Sequence, residues 1–342
     1  MGKITANRHQ RTAGVTLIEL MVALAIGSFL MLGALTVFMQ SRTSFRVNDS
    51  VARLQENARF VLDVIEPEIR MASYYGLTSR SSKISNRATP LDPVPPGMVV
   101  DGDCGQNWTI NLGTDVAGNN NGYAWACAAF GDGAQPQADT LVIRRVSEDP
   151  IPPLNLDADT MYLQSARFRD SEIFVGDTVP GGFLAVSSQS HALMVFGYYV
   201  SQNSSLDTPG NPVPSLRMKT LVAGAGGNPR IDDREVLPGV EDFQIQFGVD
   251  TDVLGAPNRG SVDRYVNPGD PIITLGNPGF LPDAKILAVR IWLRIRAERP
   301  ENGFTDTTDY VYADQNVPAF NDTFRRTVVI KTIYLRNARG AA

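Results

Sequence analysis

The sequence predicts an α+β protein in which one long N-terminal helix packs on an antiparallel β-sheet head. Three observations predict it. An apolar run covers residues 15–39. Apolar residues then recur at helical spacing as far as Ala72. Beyond residue 100, short alternating runs are separated by Gly, Pro, Asn and Asp turns.

The chain has 342 residues, 43% of them hydrophobic, which is enough for a large folded core and excludes intrinsic disorder. Lys and Arg number 31 against 36 Asp and Glu, a formal charge of −5. No basic face for nucleic acid is expected on such a chain. The two histidines are His9, in the basic N-terminal stretch, and His191. This scarcity argues against a histidine triad or a multi-histidine metal site. No catalytic residues, metal ligands or cofactors are expected, and the chain reads as a non-enzyme.

Residues 1–14 carry Lys3, Arg8 and Arg11 and no acid. The run 15–39 is apolar except for Thr16, Glu19, Ser28 and Thr36. As a helix it spans roughly 37 Å, enough to cross a ~30 Å hydrocarbon core. The basic flank keeps the N-terminus cytoplasmic and places the rest across the membrane. A secretory signal peptide would have a shorter apolar region and a small-residue cleavage site, and Leu32-Gly33-Ala34 is a poor one. A plain membrane anchor fits the length but leaves Glu19 unexplained, since a carboxylate inside a membrane helix is costly and is usually paired or functional.

Residues 40–76 continue as an amphipathic helix. Val47, Val51, Leu54, Ala58, Val61, Ile65, Ile69 and Ala72 form one apolar stripe, and Glu66 with Arg70 is a favourable i, i+4 pair. The stripe should cover the chain's own sheet. Pro67 should kink the helix or end it early, and Gly76 is a natural stop. Residues 77–99, rich in Ser and Pro, read as a linker or excursion. The head, residues 100–342, shows strand-like runs at 140–145, 191–200, 240–249, 286–297 and 328–335. In the fourth, Leu287, Val289, Ile291, Leu293 and Ile295 alternate with Arg290, Trp292, Arg294 and Arg296. A β-sandwich would give a similar pattern, but an amphipathic stem needs a sheet to cover.

Cys104 and Cys127 lie in a turn-rich region. In an extracytoplasmic head an intrachain disulfide is the default, worth about 3 kcal/mol in the chain-entropy account; the alternative is two buried thiols. Asp250, Asp252 and Asp263 lack the ligand spacing of a Ca²⁺ loop and read as a solvated turn. Gly224-Ala225-Gly226-Gly227 is followed by Asn-Pro and is no phosphate loop. His191, in an apolar run, reads as structural.

The stretch Gly14-Val15-Thr16-Leu17-Ile18-Glu19-Leu20 resembles the type IV prepilin signature, with a short basic leader, a glycine, and an apolar helix bearing one early glutamate. Ala52–Phe60, Glu68–Ala72, Asp139–Arg145, Gly239–Asp250, Arg325-Arg326-Thr327 and Tyr334–Asn337 are similar to PilW-type minor pilins of the type IV pilus. The resemblance implies a pilin-like fold and cleavage by prepilin peptidase between Gly14 and Val15, on the cytoplasmic side. It further implies N-methylation of Val15. Two departures are plain: the family usually has Phe where this chain has Val15, and no proline interrupts 15–39. The first bears on methylation more than on cleavage.

Glu19 would then pair with the N-terminal amine of a neighbouring subunit and set register within a bundle of apolar helices. The competing role is a local one, in which Glu19 snorkels or pairs with its own Val15 amine. The resemblance also implies a low-abundance subunit that primes pilus assembly and sits in a tip complex. Its partners would be the peptidase, other minor pilins and the major pilin, with a tip adhesin as a further candidate. Its location would be the inner membrane, head in the periplasm, and then the pilus tip. A J-type pseudopilin of type II secretion shares these features, and an uncleaved membrane-anchored binding protein is the alternative from another class.

Overall fold

The computed structural model describes residues 14–338 apart from 79, 115, 209 and 211. Residues 1–13 of the leader, with Lys3, Arg8, His9 and Arg11, lie outside the described residues. The chain divides into two compact units, Met1–Ala52 and Arg53–Ala342, and one helix, α1 (Leu17–Met71), contributes to both.

In the second unit, α1 buries Leu54, Ala58, Val61, Ile65 and Ile69, the stripe read from the sequence. Pro67 neither ends nor shortens the helix, which runs on to Met71. The last turn is held from outside. Ile65 and Ile69, on either side of the proline, are fully buried, Arg145 pairs with Glu68 at 2.6 Å, and the Arg336 N–H donates to the Arg70 carbonyl. These contacts outweigh the one backbone hydrogen bond a proline removes. The left-handed residue that closes α1 is Ser73 (φ 64°) rather than Gly76, which takes its own positive φ of 66° in the following turn.

The head contains β1 (Ile84–Ser85), β2 (Val116–Asn119), β3 (Thr140–Val146), β4 (Met161–Ala166), β5 (Ser171–Val175), β6 (Ser188–Ser201) and β7 (Ser215–Ala225). It continues with β8 (Asn228–Pro238), β9 (Val240–Asp250), β10 (Arg264–Val266), β11 (Lys285–Arg296), β12 (Tyr310–Tyr312), β13 (Gln315–Val317) and β14 (Arg326–Tyr334). An eight-stranded sheet runs β1-β5-β4-β6-β3-β2, with β7 on the far half of β6 and β8 beyond it. A four-stranded sheet runs β10-β9-β11-β14, and β12–β13 is a separate hairpin. Every pairing is antiparallel except the short β1–β5 contact.

β6 separates two cores. Phe196, Tyr198 and Val200 join the α1 stripe, β9 and β11 in the main core. Leu193 and Val195 face a second core with Ile84, Trp108, Ile110 and Leu163. Residues between 84 and 100 therefore contribute buried Ile84, Ala88, Met98 and Val100 to the head. The two sheets meet at Asp139. Its N–H donates to the Phe243 carbonyl at 2.8 Å, and its carboxylate accepts the Ile245 and Asn121 N–H groups, each at 2.8 Å. Burial pushes this carboxyl up to about 7, against the pull of those two donors. Gly226 and Gly227, both at positive φ, form the two-residue turn of the β7–β8 hairpin.

Candidate functional site

Gly14 and Val15 precede α1, and both are exposed. Thr16 is the N-cap of the helix and Glu19 its third residue, so Thr-x-x-Glu forms a capping box. The Thr16 N–H and hydroxyl both lie 2.9 Å from Glu19 Oε2, and the Glu19 N–H donates back to Thr16 Oγ1 at 3.4 Å. The carboxylate thus sits beside the backbone donors at the positive end of the helix dipole. In the uncleaved chain the Val15 nitrogen is a peptide amide, and the local partner of Glu19 is Thr16.

Every residue from Gly14 to Arg46 is exposed. Val15, Leu17, Phe29, Met31 and Val37 are among the large apolar side chains on this surface. A continuous apolar surface of this length far exceeds what a soluble monomer shows, so it calls for lipid or other apolar helices around it. The remaining polar side chains of the run are satisfied within the helix: Ser28 Oγ donates to Ala25 O, and Thr36 Oγ1 to Leu32 O and Gly33 O. None needs an outside partner in hydrocarbon. Among the described residues α1 is the one helix long and apolar enough to cross a membrane by length and composition.

In the head, Cys104 and Cys127 form a disulfide. It closes a loop whose Trp108 and Trp125 lie edge to face, and Gly197 of β6 leaves room for both, since a Cβ there would come within 2.9 Å of each indole. His191 is buried, and its Nδ1 donates to the Ser147 carbonyl at 2.8 Å. The structure brings Asp250, Asp252 and Asp263 within 4.8 Å of one another. Oxygen donors of this kind suit a hard cation. Here, however, Asp250 accepts the Asp252 and Gly260 N–H groups, and Asp263 accepts the Thr251 N–H and hydroxyl, so the carboxylates clasp the loop.

Sequence reasoning missed a buried charge cluster on the outer face of β11. Arg326 binds Glu241, Asp306 and Asp322 at 2.7, 3.0 and 2.7 Å. Arg294 reaches Glu241 and the Tyr312 hydroxyl, which in turn donates to Asp242 at 2.6 Å. Phe320 stacks on Arg326, and Phe324 on Arg296. The face carrying Trp292 and Arg294 is thereby covered by β12–β13 and the loops around it. The alternation of Arg and Trp along β11 was the visible signal; the acids and aromatics that answer it come from distant segments.

Residues 197–337 match the family model described as type IV pilus-assembly protein W, and residues 9–35 match the prokaryotic N-terminal methylation motif. Among solved structures, the type IV-like pilin TTHA1219 from Thermus thermophilus is similar, with 13% identity and a TM-score of 0.34 over 84% of this chain and 97% of that one. No curated relative matches the chain significantly.

Proposed function

We propose that this chain, whose residues 197–337 match the type IV pilus-assembly protein W model and whose residues 9–35 match the N-terminal methylation motif, is a non-enzymatic minor pilin that primes pilus assembly and takes a place in the tip complex. Prepilin peptidase cuts between Gly14 and Val15, and the new Val15 amine is methylated. The chain waits in the inner membrane with its N-terminus in the cytoplasm and its head in the periplasm. It then moves into a filament with other minor pilins and the major pilin. The leader takes Lys3, Arg8 and Arg11 with it, leaving a more acidic remainder.

One observation carries this reading: an accessible Gly14–Val15 junction stands directly before a capped apolar helix that is exposed on every side and holds the single carboxylate Glu19. After cleavage the Val15 amine lies one helical turn from Glu19. An incoming chain's amine then finds a carboxylate already held at a helix end, and the pair fixes the depth at which two stems align. N-terminal sequencing and intact mass of the chain from membranes and from sheared surface fibres test it. The expected result is a chain beginning at Val15, carrying one added methyl, and present in fibres. An intact leader, or absence from fibres that form normally without the chain, overturns it.

A further inference from the structure

The sheet edges of the head are guarded to different degrees. β1, β2 and β10 are short. β8 is long, but it carries Pro229 and Pro238, and its outward groups at one end are taken: the Asp101 N–H donates to Pro229 O, and the Ile231 N–H donates to Asp101 O. β14 is the other terminal strand of the four-stranded sheet. Its nine residues read RTVVIKTIY, with no proline, glycine or register shift. An edge of this length and composition is a template for another strand.

The ladder says which groups it offers. The Leu335 N–H donates to Leu287 O, and the Ala297 N–H donates to Arg325 O, so odd-numbered residues of β14 and its flanks face β11. Val328, Ile330 and Thr332 therefore turn their N–H and C=O groups away from β11. Among the described residues no strand pairs with them there. Ile330, at 59% exposure, stands beside these rungs.

Direction narrows the partner. β14 ascends with the head half of α1, since Lys331 pairs with Glu66 and the Arg336 N–H donates to Arg70 O. A strand added antiparallel to β14 runs against α1. A neighbour anchored in the same membrane with its stem pointing the same way must offer a strand that runs against its own stem. Charge narrows it again, because the exposed Arg336 borders the edge. We propose that the β14 edge docks an acidic edge strand of a neighbouring, different pilin-like chain, which continues the four-stranded sheet antiparallel. A second copy is the weaker occupant, since the edge of its four-stranded sheet that runs against the stem is β10, only three residues long. The proposal rests on the pilus-subunit reading.

Ile330→Pro removes the central outward donor and spares the β11 ladder, which does not use that N–H. Ile330→Ala trims the side chain and keeps the donor. Full-length variants are expressed in cells lacking the wild-type chain, and sheared fibres are immunoblotted. Ile330→Pro should lower incorporation about tenfold relative to Ile330→Ala. A photo-crosslinking residue at position 330 of the otherwise unchanged chain should give an adduct with a different pilin-like chain. If the wild-type chain is absent from fibres, the pilus reading falls and this proposal with it. If it is present and Ile330→Pro incorporates as well as Ile330→Ala, the docking edge alone is overturned. No adduct from the folded chain, or one at twice the chain's own mass, overturns it independently of how the proline variant folds.

Discussion

Thr16 donates twice to a single oxygen of Glu19, from its backbone N–H and from its hydroxyl, each at 2.9 Å. Glu19 therefore combines a cap, which needs only an acceptor, with a charge, which a neighbouring amine would read. Substitutions separate the two. Glu19→Gln keeps a capping-box acceptor and loses the charge. Thr16→Ala keeps the charge and loses the cap, at about 1 kcal/mol of helix-end stability. The expectation is that Glu19→Gln and Glu19→Val are both cleaved normally and both missing from fibres, whereas Thr16→Ala is incorporated. N-terminal mass and immunoblots of sheared fibres read the two steps. Wild-type incorporation of Glu19→Gln would remove the charge-pair argument and leave the cap.

Gly76 holds a left-handed turn against the head. Its φ is 66°, and a Cβ there would lie 2.8 Å from Ser165 Oγ and 2.9 Å from His191 Nε2. Ser165 Oγ already accepts the Leu77 N–H, so it has little freedom to retreat. Gly97 has φ 76° and nothing within 4 Å, so it reports backbone strain alone. Gly76→Ala should cost about 2 kcal/mol or more, and Gly97→Ala about half of that. Thermal melts of the two variants beside the wild type measure the difference, and equal losses would deny the contact.

What the sequence made legible follows from where one face of an element meets the core and the other does not. The α1 stripe and β9 show the alternation or helical period that such a position imposes. β4 is buried on both faces over its whole length, so Met161–Ala166 carries no alternation to read. β7 and β8 hide their period differently. Arg217 and Lys219 point inward to Asp233, and Arg217 also to Glu235, so charged residues occupy positions that would otherwise be apolar. The passage of α1 beyond Pro67 depends on Arg145 and Arg336, distant in sequence. At the stem, the Thr-x-x-Glu spacing was visible in the residues, but weighing Glu19 only against an amine or the headgroups concealed its cap.

Arg326 is 2% exposed at its side chain, as is Asp306, and Glu241 is 7% exposed. Burial pulls the guanidinium down, but the bonds to Asp322 and Glu241 outweigh it and hold the group above its ordinary value. Removing this cation leaves Glu241 and Asp306 buried without their main partner. Arg326→Met should therefore cost about 3–5 kcal/mol, and adding Glu241→Gln should return part of the loss. Urea midpoints give the energies. Hydrogen exchange across residues 306–322 should rise first, since this cluster ties that covering segment to the sheet. An unchanged midpoint for Arg326→Met would show that the cluster contributes little.

His191 should make the head sensitive to acid. Burial holds its imidazole below the ordinary 6.5, partly opposed by the bond to Ser147 and by Asp149. Its Nδ1 donates to Ser147 O, while the buried Nε2 has no hydrogen-bond partner among the described residues. Protonation would place a second N–H at that unsolvated position. The sign follows: the unfolded chain takes up this proton at a higher pH than the folded one does. The contribution is therefore fully present above about 6.5 and shrinks as pH falls below it, by at most ~1.4 kcal/mol per pH unit. His191→Asn keeps a donor near the Nδ1 position and cannot take up the proton. Subtracting its stability curve from that of the wild type cancels the other titrating groups, Asp139 among them. The difference should be flat above neutrality and turn against the wild type in acid. A difference that stays flat to pH about 5 would mean that the His191 ring is solvated in the folded head.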